Sequence, residues 1–375
     1  MLGGKKQLLI FIIGLVSGLL IETTTAMKPL NVRVVSYNVL SDSLCSPKSY
    51  PTLNPEHLEP AARLPSVLKR IDDEVKNNSV ICLQEVTYNW AGSLHTYFAK
   101  QGYHMVTGLY GRKFNGYMGI AIAWPTAKMD ALDVDISRLS DKRDGGWPRP
   151  PEDETDGLGK VIKNIVSFAK KPLMKVGILS SPPMEPWSYS ENRFNMLLRV
   201  KLQDRASDRQ FCLGNYHMPC TFYCPPVMTI HCDMAAKAVQ SYADGLPYIL
   251  AGDWNIKPQD SMYQLLTSGD MDKEDPAYPP SRYGVEWTPS AKPMQSAYAV
   301  VEGKEPDFTN FAAPRNIGEE GFIDTLDYIF CGSDWIVQSV KKLPHRDEAD
   351  GPFPNEIEPS DHILLAADLK HDGVN

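Results

Sequence analysis

Residues 246–255 read LPYILAGDWN, an apolar run that stops abruptly at a glycine, a carboxylate (Asp253) and an amide (Asn255). A short apolar run bounded by Pro on one side and Gly-Asp on the other is the pattern of a buried strand. The same layout recurs outward in both directions. NVRVVSYNVL (31–40) carries Ser36-Tyr37-Asn38, SVICLQEV (79–86) ends in Gln84-Glu85, and FCLGNYHM (211–218) contains Asn215-Tyr216-His217. DTLDYIF (324–330) opens with Asp324 and Asp327, and Ser360-Asp361-His362 precedes ILLAADL (363–369). Each cluster sits at a strand end, where side chains converge on one rim of a sheet. Taken singly, a carboxylate or histidine there is more often a cap or a satisfied core group. Together they bring Asn, Asp, Glu and His to one kind of place.

Helical patterns separate these strands. Leu64, Val67, Leu68, Ile71 and Val75 form a 3.6-period stripe over 63–76, 94–101 reads as a second helix and 233–244 as a third. Strand-like runs also cover 103–110, 118–125 and 194–202. The alternation defines an α/β chain. Stretch 140–190 breaks the rhythm: it is rich in Pro, Gly and charge, with a basic amphipathic segment near 160–171, and reads as a surface elaboration rather than a lid.

The chain has 375 residues, 43% hydrophobic and 22% charged, which excludes a disordered, collagenous or polytopic membrane protein. Its 38 Lys and Arg against 46 Asp and Glu give a formal charge of −8. That balance argues against a non-specific nucleic-acid coat protein, yet permits a phosphate substrate received by a metal and a few local cations.

Residues 1–26 join Lys5 and Lys6 to an apolar stretch and then to small residues ending at Ala26. This is the pattern of a secretory signal, removed before Met27 and too short to span a bilayer. It places the protein in the secretory route or outside the cell, with a cytoplasmic location as the alternative if translation starts at Met27. In an oxidising compartment Cys45, Cys220, Cys224 and Cys232 could form one or two disulfides; Cys82, Cys212 and Cys331 lie in apolar runs and read as buried.

Hard oxygen ligands suit Mg²⁺ or Mn²⁺, and no His/Cys cage points to zinc. The sequence lacks a GxSxG elbow, a P-loop, a dinucleotide fingerprint and HExxH. The inventory suits metal-assisted hydrolysis of a phosphate ester, which needs an activated water and charge stabilisation on the phosphoryl oxygens.

In order and wording, SYNVLSD, LQEV, NYHM, GDWNIKP with SMYQLL, TLDYIF and PSDH resemble the endonuclease/exonuclease/phosphatase superfamily, the fold class of pancreatic DNase. SAYAVVEGKEPDFTNFA (296–312) and FPNEIEPSDH (353–362) resemble its deadenylase branch. The resemblance covers nearly all of 32–369 outside 140–190. It implies a single catalytic domain over 27–375, a four-layer α/β sandwich of two mainly antiparallel sheets flanked by helices. It further implies that Glu85 is the principal Mg²⁺ ligand, with Asn38 beside it and Asp361 completing the metal side. Asp253 would orient or deprotonate the attacking water, and Asn255 would bond a phosphoryl oxygen. His362, held by Asp327, and His217 would contact the phosphate. Phe222 and Asn195 are candidate substrate contacts.

The implied activity is a metal-dependent nuclease with deadenylase-like 3′-exonuclease action on RNA. The alternatives are a secreted phosphodiesterase or phosphatase acting on nucleotides, DNA or phospholipid head groups, and a non-catalytic secreted binding protein. A monomer is expected, with no membrane span after signal cleavage and no repeat module for joining a larger complex. The chain departs from the branch pattern in three places, one of them FAAPRNIGEEGF (311–322), longer and more polar where an aromatic is usual. Phe222 stands where a proline is usual, and Met118 stands where an acidic residue usually precedes the GIAIAW strand.

Overall fold

The computed structural model describes residues 28–151, 184–318 and 321–373. The leader 1–26 and the basic segment 160–171 lie outside the described residues, so only the margins of 140–190 are seen. Two six-stranded sheets stack face to face. The first runs β13 (Ile336–Val340), β14 (Leu365–His371), β1 (Leu30–Asn38), β2 (Val80–Val86), β4 (Gly119–Pro125), β3 (Tyr103–Leu109). The second runs β5 (Met129–Arg138), β6 (Met196–Asp204), β7 (Arg209–His217), β8 (Tyr248–Asp253), β12 (Asp327–Cys331), β9 (Gln295–Ser296). A small ribbon, β10 (Asn310–Ala312) with β11 (Phe322–Asp324), stands apart. Pairing is antiparallel except for β1 with β2 and β7 with β8, one parallel pair per sheet.

Those two parallel pairs position the site. A parallel pair needs a crossover, supplied by helix α1 (Pro60–Lys76) between β1 and β2, while helix α4 (Pro225–Ala243) lies between β7 and β8. Both strands of each pair therefore end on the same rim, and the four ends carry Asn38, Glu85, His217 and Asp253.

Side-chain alternation makes the layers. In β1 and β2, Val32, Val34, Val80 and Cys82 face the second sheet, where they meet Leu198, Val200, Leu213 and Ile249. Their neighbours Val35, Tyr37, Ile81 and Leu83 face α1 and helix α2 (Tyr88–Lys100). The outer face of the second sheet packs through Tyr216, Leu250 and Phe330 on α4 and α5 (Ser261–Ser268). Helices, sheet, sheet, helices is the four-layer sandwich expected from the sequence.

Three local expectations change. The third helix starts at Pro225, eight residues before 233, because prolines at its first two positions lack only N–H groups that no helix start can pair. All seven cysteines are free: Cys45 packs beside Leu40, Tyr50 and Leu58, and Cys232 lies inside α4 with its sulfur 3.8 Å from that of Met218. The margins of 140–190 are tied to the core, with Trp187 of α3 (Pro186–Glu191) fully buried and donating to the Pro280 carbonyl. The edge strand β5 is not announced by an apolar run, since Leu132, Val134 and Ile136 alternate with polar residues and stay exposed. The remaining helix, α6, spans Ala297–Glu302.

Candidate active site

By strict alternation Glu85 would follow Ile81 and Leu83 toward the helices. A β-bulge between Gln84 and Val86 prevents this. Glu85 takes φ +59°, Val86 fills the helix-side core in its place, and the carboxylate turns to the rim. A left-handed conformation at a non-glycine residue costs about 1 kcal/mol or more and persists where the surroundings hold it. Here the main-chain N–H of Ser41 donates to Glu85 Oε2 at 2.8 Å.

On the second sheet, Gly252 has φ +154°, and a Cβ there would lie 1.8 Å from the Tyr216 carbonyl oxygen. Only glycine allows β8 to approach β7 this closely beside the site. Asp253 follows and becomes the hub. Asn38 Nδ2 donates to its Oδ2 at 2.9 Å, and the Asn255 main-chain N–H donates to its Oδ1 at 3.0 Å. Asn38 Nδ2 also reaches Glu85 Oε1 at 3.2 Å, while its own oxygen accepts from Leu40 N. One amide thus joins carboxylates from the two sheets.

Two histidines close the cluster. His362 Nδ1 lies 2.8 Å from Asp327 Oδ2, and its Nε2 lies 3.7 Å from Asp253 Oδ2. Burial opposes charge on this ring, but Asp327, Asp253 and Asp361 outweigh it and hold the ring well above the usual imidazole value. Burial pushes Asp327 up to about 6, against the pull of His362. Thr309 Oγ1 donates to the same Asp327 oxygen at 2.7 Å. His217 Nε2 lies 3.5 Å from Asp253 Oδ2 on the other side.

Asp361 accepts from Tyr50 OH at 2.8 Å through Oδ2, whereas its Oδ1 is buried without a hydrogen-bond donor among the described residues. Burial raises this carboxyl, and the nearby charge of Glu85 adds to that. A buried unpaired carboxylate oxygen near a second carboxylate is what a hard divalent cation would relieve, so Glu85 and Asp361 fit such an ion. Asp253, Asp327 and His362 also lie close enough to share one. The hydrogen bond between Asp327 and His362 gives that pair a different use, because Asp327 is already spent on the ring.

Every catalytic and metal residue expected from the sequence reaches this rim. The 480 Å³ cleft over it is lined by Glu85, Asp253, Asn255, His217, Asp361 and His362 together with Phe222 and Asn195. Asn255 Nδ2 is engaged by the Met218 carbonyl at 3.1 Å, and Asn195 Nδ2 by the His217 carbonyl at 2.8 Å. Phe222 is half-exposed and lines the cleft together with Phe114, Phe194 and Phe322.

Other strand-end residues go elsewhere. Gln84 Nε2 donates to Asn215 Oδ1 at 2.8 Å, and Asn215 donates to the Leu83 and Ala121 carbonyls, a fully buried tie between the sheets. Trp254 is core, and Asp324 lies 3.8 Å from Lys257. Arg63, the first residue of the helix read from the sequence, carried no signal of its own there. It is buried over Trp90 and donates to the carbonyls of Val39, Leu40 and Pro359, tying the loops that follow Asn38 and precede Asp361.

Comparison with known proteins identifies the family of the chain. Residues 35–362 match the Endonuclease/Exonuclease/phosphatase family, and the chain belongs to it. Its relatives are those of the deadenylase branch. The chain is 26% identical over 359 residues to mouse 2′,5′-phosphodiesterase 12, covering 90% of this chain and 52% of that protein. It is 22% identical over 413 residues to the CCR4-Not complex 3′-5′-exoribonuclease subunit Ccr4 of Emericella nidulans, covering 95% and 54%. The chain thus spans about half the length of these curated relatives. Among solved structures, ANGEL2, described as a 2′,3′-cyclic phosphatase and bound to adenosine-2′,3′-vanadate, superposes with TM-score 0.66 at 18% identity, covering 92% of this chain and 97% of that one.

Proposed function

We propose that the protein is a Mg²⁺-dependent phosphodiester hydrolase, a nuclease with deadenylase-like 3′-exonuclease action on RNA. The observation that carries this reading is Asp253, a buried carboxylate held from both sides by donors and flanked by two histidines, beside Glu85 and Asp361. Glu85 and Asp361, with Asn38 bridging to Asp253, would hold Mg²⁺, which when bound supplies charge neutralisation at the phosphoryl group. Asp253 accepts the proton of the attacking water. His362, kept charged by Asp327, donates from Nε2 to a phosphoryl oxygen, and His217 donates from the opposite side. Asn255 completes the phosphoryl contacts, and Phe222 offers a face for stacking a base.

The named activities of the two curated relatives support a nucleic-acid substrate. The leader reading adds that the enzyme works in the secretory route, on RNA met there or outside the cell. N-terminal sequencing of the exported protein tests this, with Met27 as the expected first residue.

The decisive experiment offers poly(A), mixed RNA, duplex DNA, 2′,5′-oligoadenylate, a cyclic phosphate and a phospholipid to the protein with Mg²⁺. Stepwise 3′ shortening of RNA, abolished by chelator and restored by Mg²⁺, is expected. Preference for duplex DNA or lipid would overturn the assignment, and no cleavage of any ester would leave a binding protein on this fold.

A further inference from the structure

The two histidines of the cleft are held by different chemistry. A carboxylate meets Nδ1 of His362, whereas Nδ1 of His217 lies 3.2 Å from the phenol oxygen of Tyr110. Tyr110 is placed firmly: it follows β3, and its main-chain N–H and that of Gly111 both donate to the Met118 carbonyl, closing the hairpin into β4. Its ring is buried in the core between the sheets. Met118 lines the same cleft, in the place where the family pattern carries an acidic residue.

Two constraints set the direction of this hydrogen bond. Nε2 of His217 faces Asp253 Oδ2 at 3.5 Å, an acceptor, which requires the proton to be on Nε2. The buried Tyr110 hydroxyl has His217 Nδ1 as its hydrogen-bond partner at 3.2 Å, so its proton is satisfied by donating to an unprotonated Nδ1. Both give the same tautomer.

We propose that Tyr110 is a positioning residue, its hydroxyl donating to His217 Nδ1 and fixing the tautomer that presents Nε2–H to the cleft. The inference rests on the cleft being where a phosphoryl group reacts. A phenol orients an imidazole without adding charge, while a carboxylate both orients and charges it. His362 is thus the donor oriented by a carboxylate, and His217 is the donor oriented by a phenol, beside the carboxylate that takes the water proton. Asn195 holds the main chain of His217 through its carbonyl, a supporting role that its type and spacing do not reveal.

The test uses the full chain with Mg²⁺ and the RNA substrate, comparing Tyr110→Phe, His217→Gln and the double variant. Tyr110→Phe should lower kcat by about 10-fold with KM changed by less than about two-fold, and should add less than about two-fold in the His217→Gln background. A similar loss from Tyr110→Phe in both backgrounds would show that the hydroxyl does not act through His217, overturning the proposal. Ring ¹⁵N spectra of histidine-labelled protein give a second readout independent of turnover. The signal lost in His217→Gln should show the Nε2-protonated pattern in the parent and a tautomer mixture in Tyr110→Phe. An unchanged pattern would overturn the proposal even if catalysis is as described. If the parent cleaves no ester, the function proposed above fails while the spectra still decide the tautomer.

Discussion

Asp253 accepts from Asn38 on one oxygen and from the Asn255 main chain on the other, so its lone pairs are fixed before any substrate arrives. Replacing it by Asn puts an amide N–H against one of these donors. Glu85→Gln keeps an oxygen for the Ser41 N–H but removes the charge that faces Asp361 across the rim. Each substitution should lower kcat by about 10³-fold or more while leaving the melting temperature within about 3 °C. Steady-state kinetics and thermal unfolding check the two halves, and substantial activity in either variant would remove that residue from its role. At this level the sequence was informative about identity and silent about direction. Glu85, Asp253, Asp361 and His362 are legible as polar residues at strand ends. Gln84 and Asn215 look the same in sequence, yet they tie the sheets together: Gln84 keeps the alternation that points Val80 and Cys82 at the second sheet, while the bulge turns Glu85 to the rim.

Helix α4 carries the clearest pH dependence outside the cleft. His231 is fully buried; its Nδ1 lies 2.8 Å from Tyr216 OH and its Nε2 lies 3.2 Å from the Ser190 carbonyl, which requires a proton on Nε2. Burial pulls its pKa down to about 4. Above pH 6.5 folded and unfolded chains both hold this ring neutral, and it adds no pH dependence. As pH falls from 6.5 toward 4 the unfolded chain takes a proton that the folded one refuses, so stability is lost across that window, by up to about 3 kcal/mol. His231→Gln can accept from Tyr216 and donate to Ser190 without titrating. Urea unfolding between pH 7.5 and 4 should show a flatter profile in that variant, and an unchanged slope would refute the assignment.

The β7–β8 pair is sensitive in a different way. Gly252→Ala would drive its Cβ into the Tyr216 carbonyl at φ +154°. A loss of about 3 kcal/mol or more is expected in chemical denaturation. A near-neutral result would mean that the two parallel strands are not held this close.

A protein of net charge −8 that acts on a polyanion cannot rely on its overall field. Proteins that grip nucleic acid through 6–10 phosphate contacts lose about 10³–10⁵ in affinity between 50 and 200 mM salt. On the function proposed above, recognition would be concentrated at one rim, so KM for RNA at constant Mg²⁺ should change by less than about 10-fold over that range. A steep salt dependence would point to a cationic binding face elsewhere on the molecule.

The apolar runs, their 2.0 and 3.6 periods and the polar residues at their ends were determined by the sequence alone, since alternation and strand ends are local properties of the chain. They suffice for the alternation of strands and helices and for a pool of polar residues at strand ends, while the layers and the proposed roles of individual side chains came from the family resemblance. What only the tertiary structure decided is which of those side chains meet. Asn38 and Asp253 are 215 positions apart and come together only when the two sheets stack. The bulge that turns Glu85, the free state of the cysteines, the Arg63 clamp and the hydroxyl of Tyr110 on His217 are likewise contacts between distant segments, set by packing and by the need of each buried polar group for a partner.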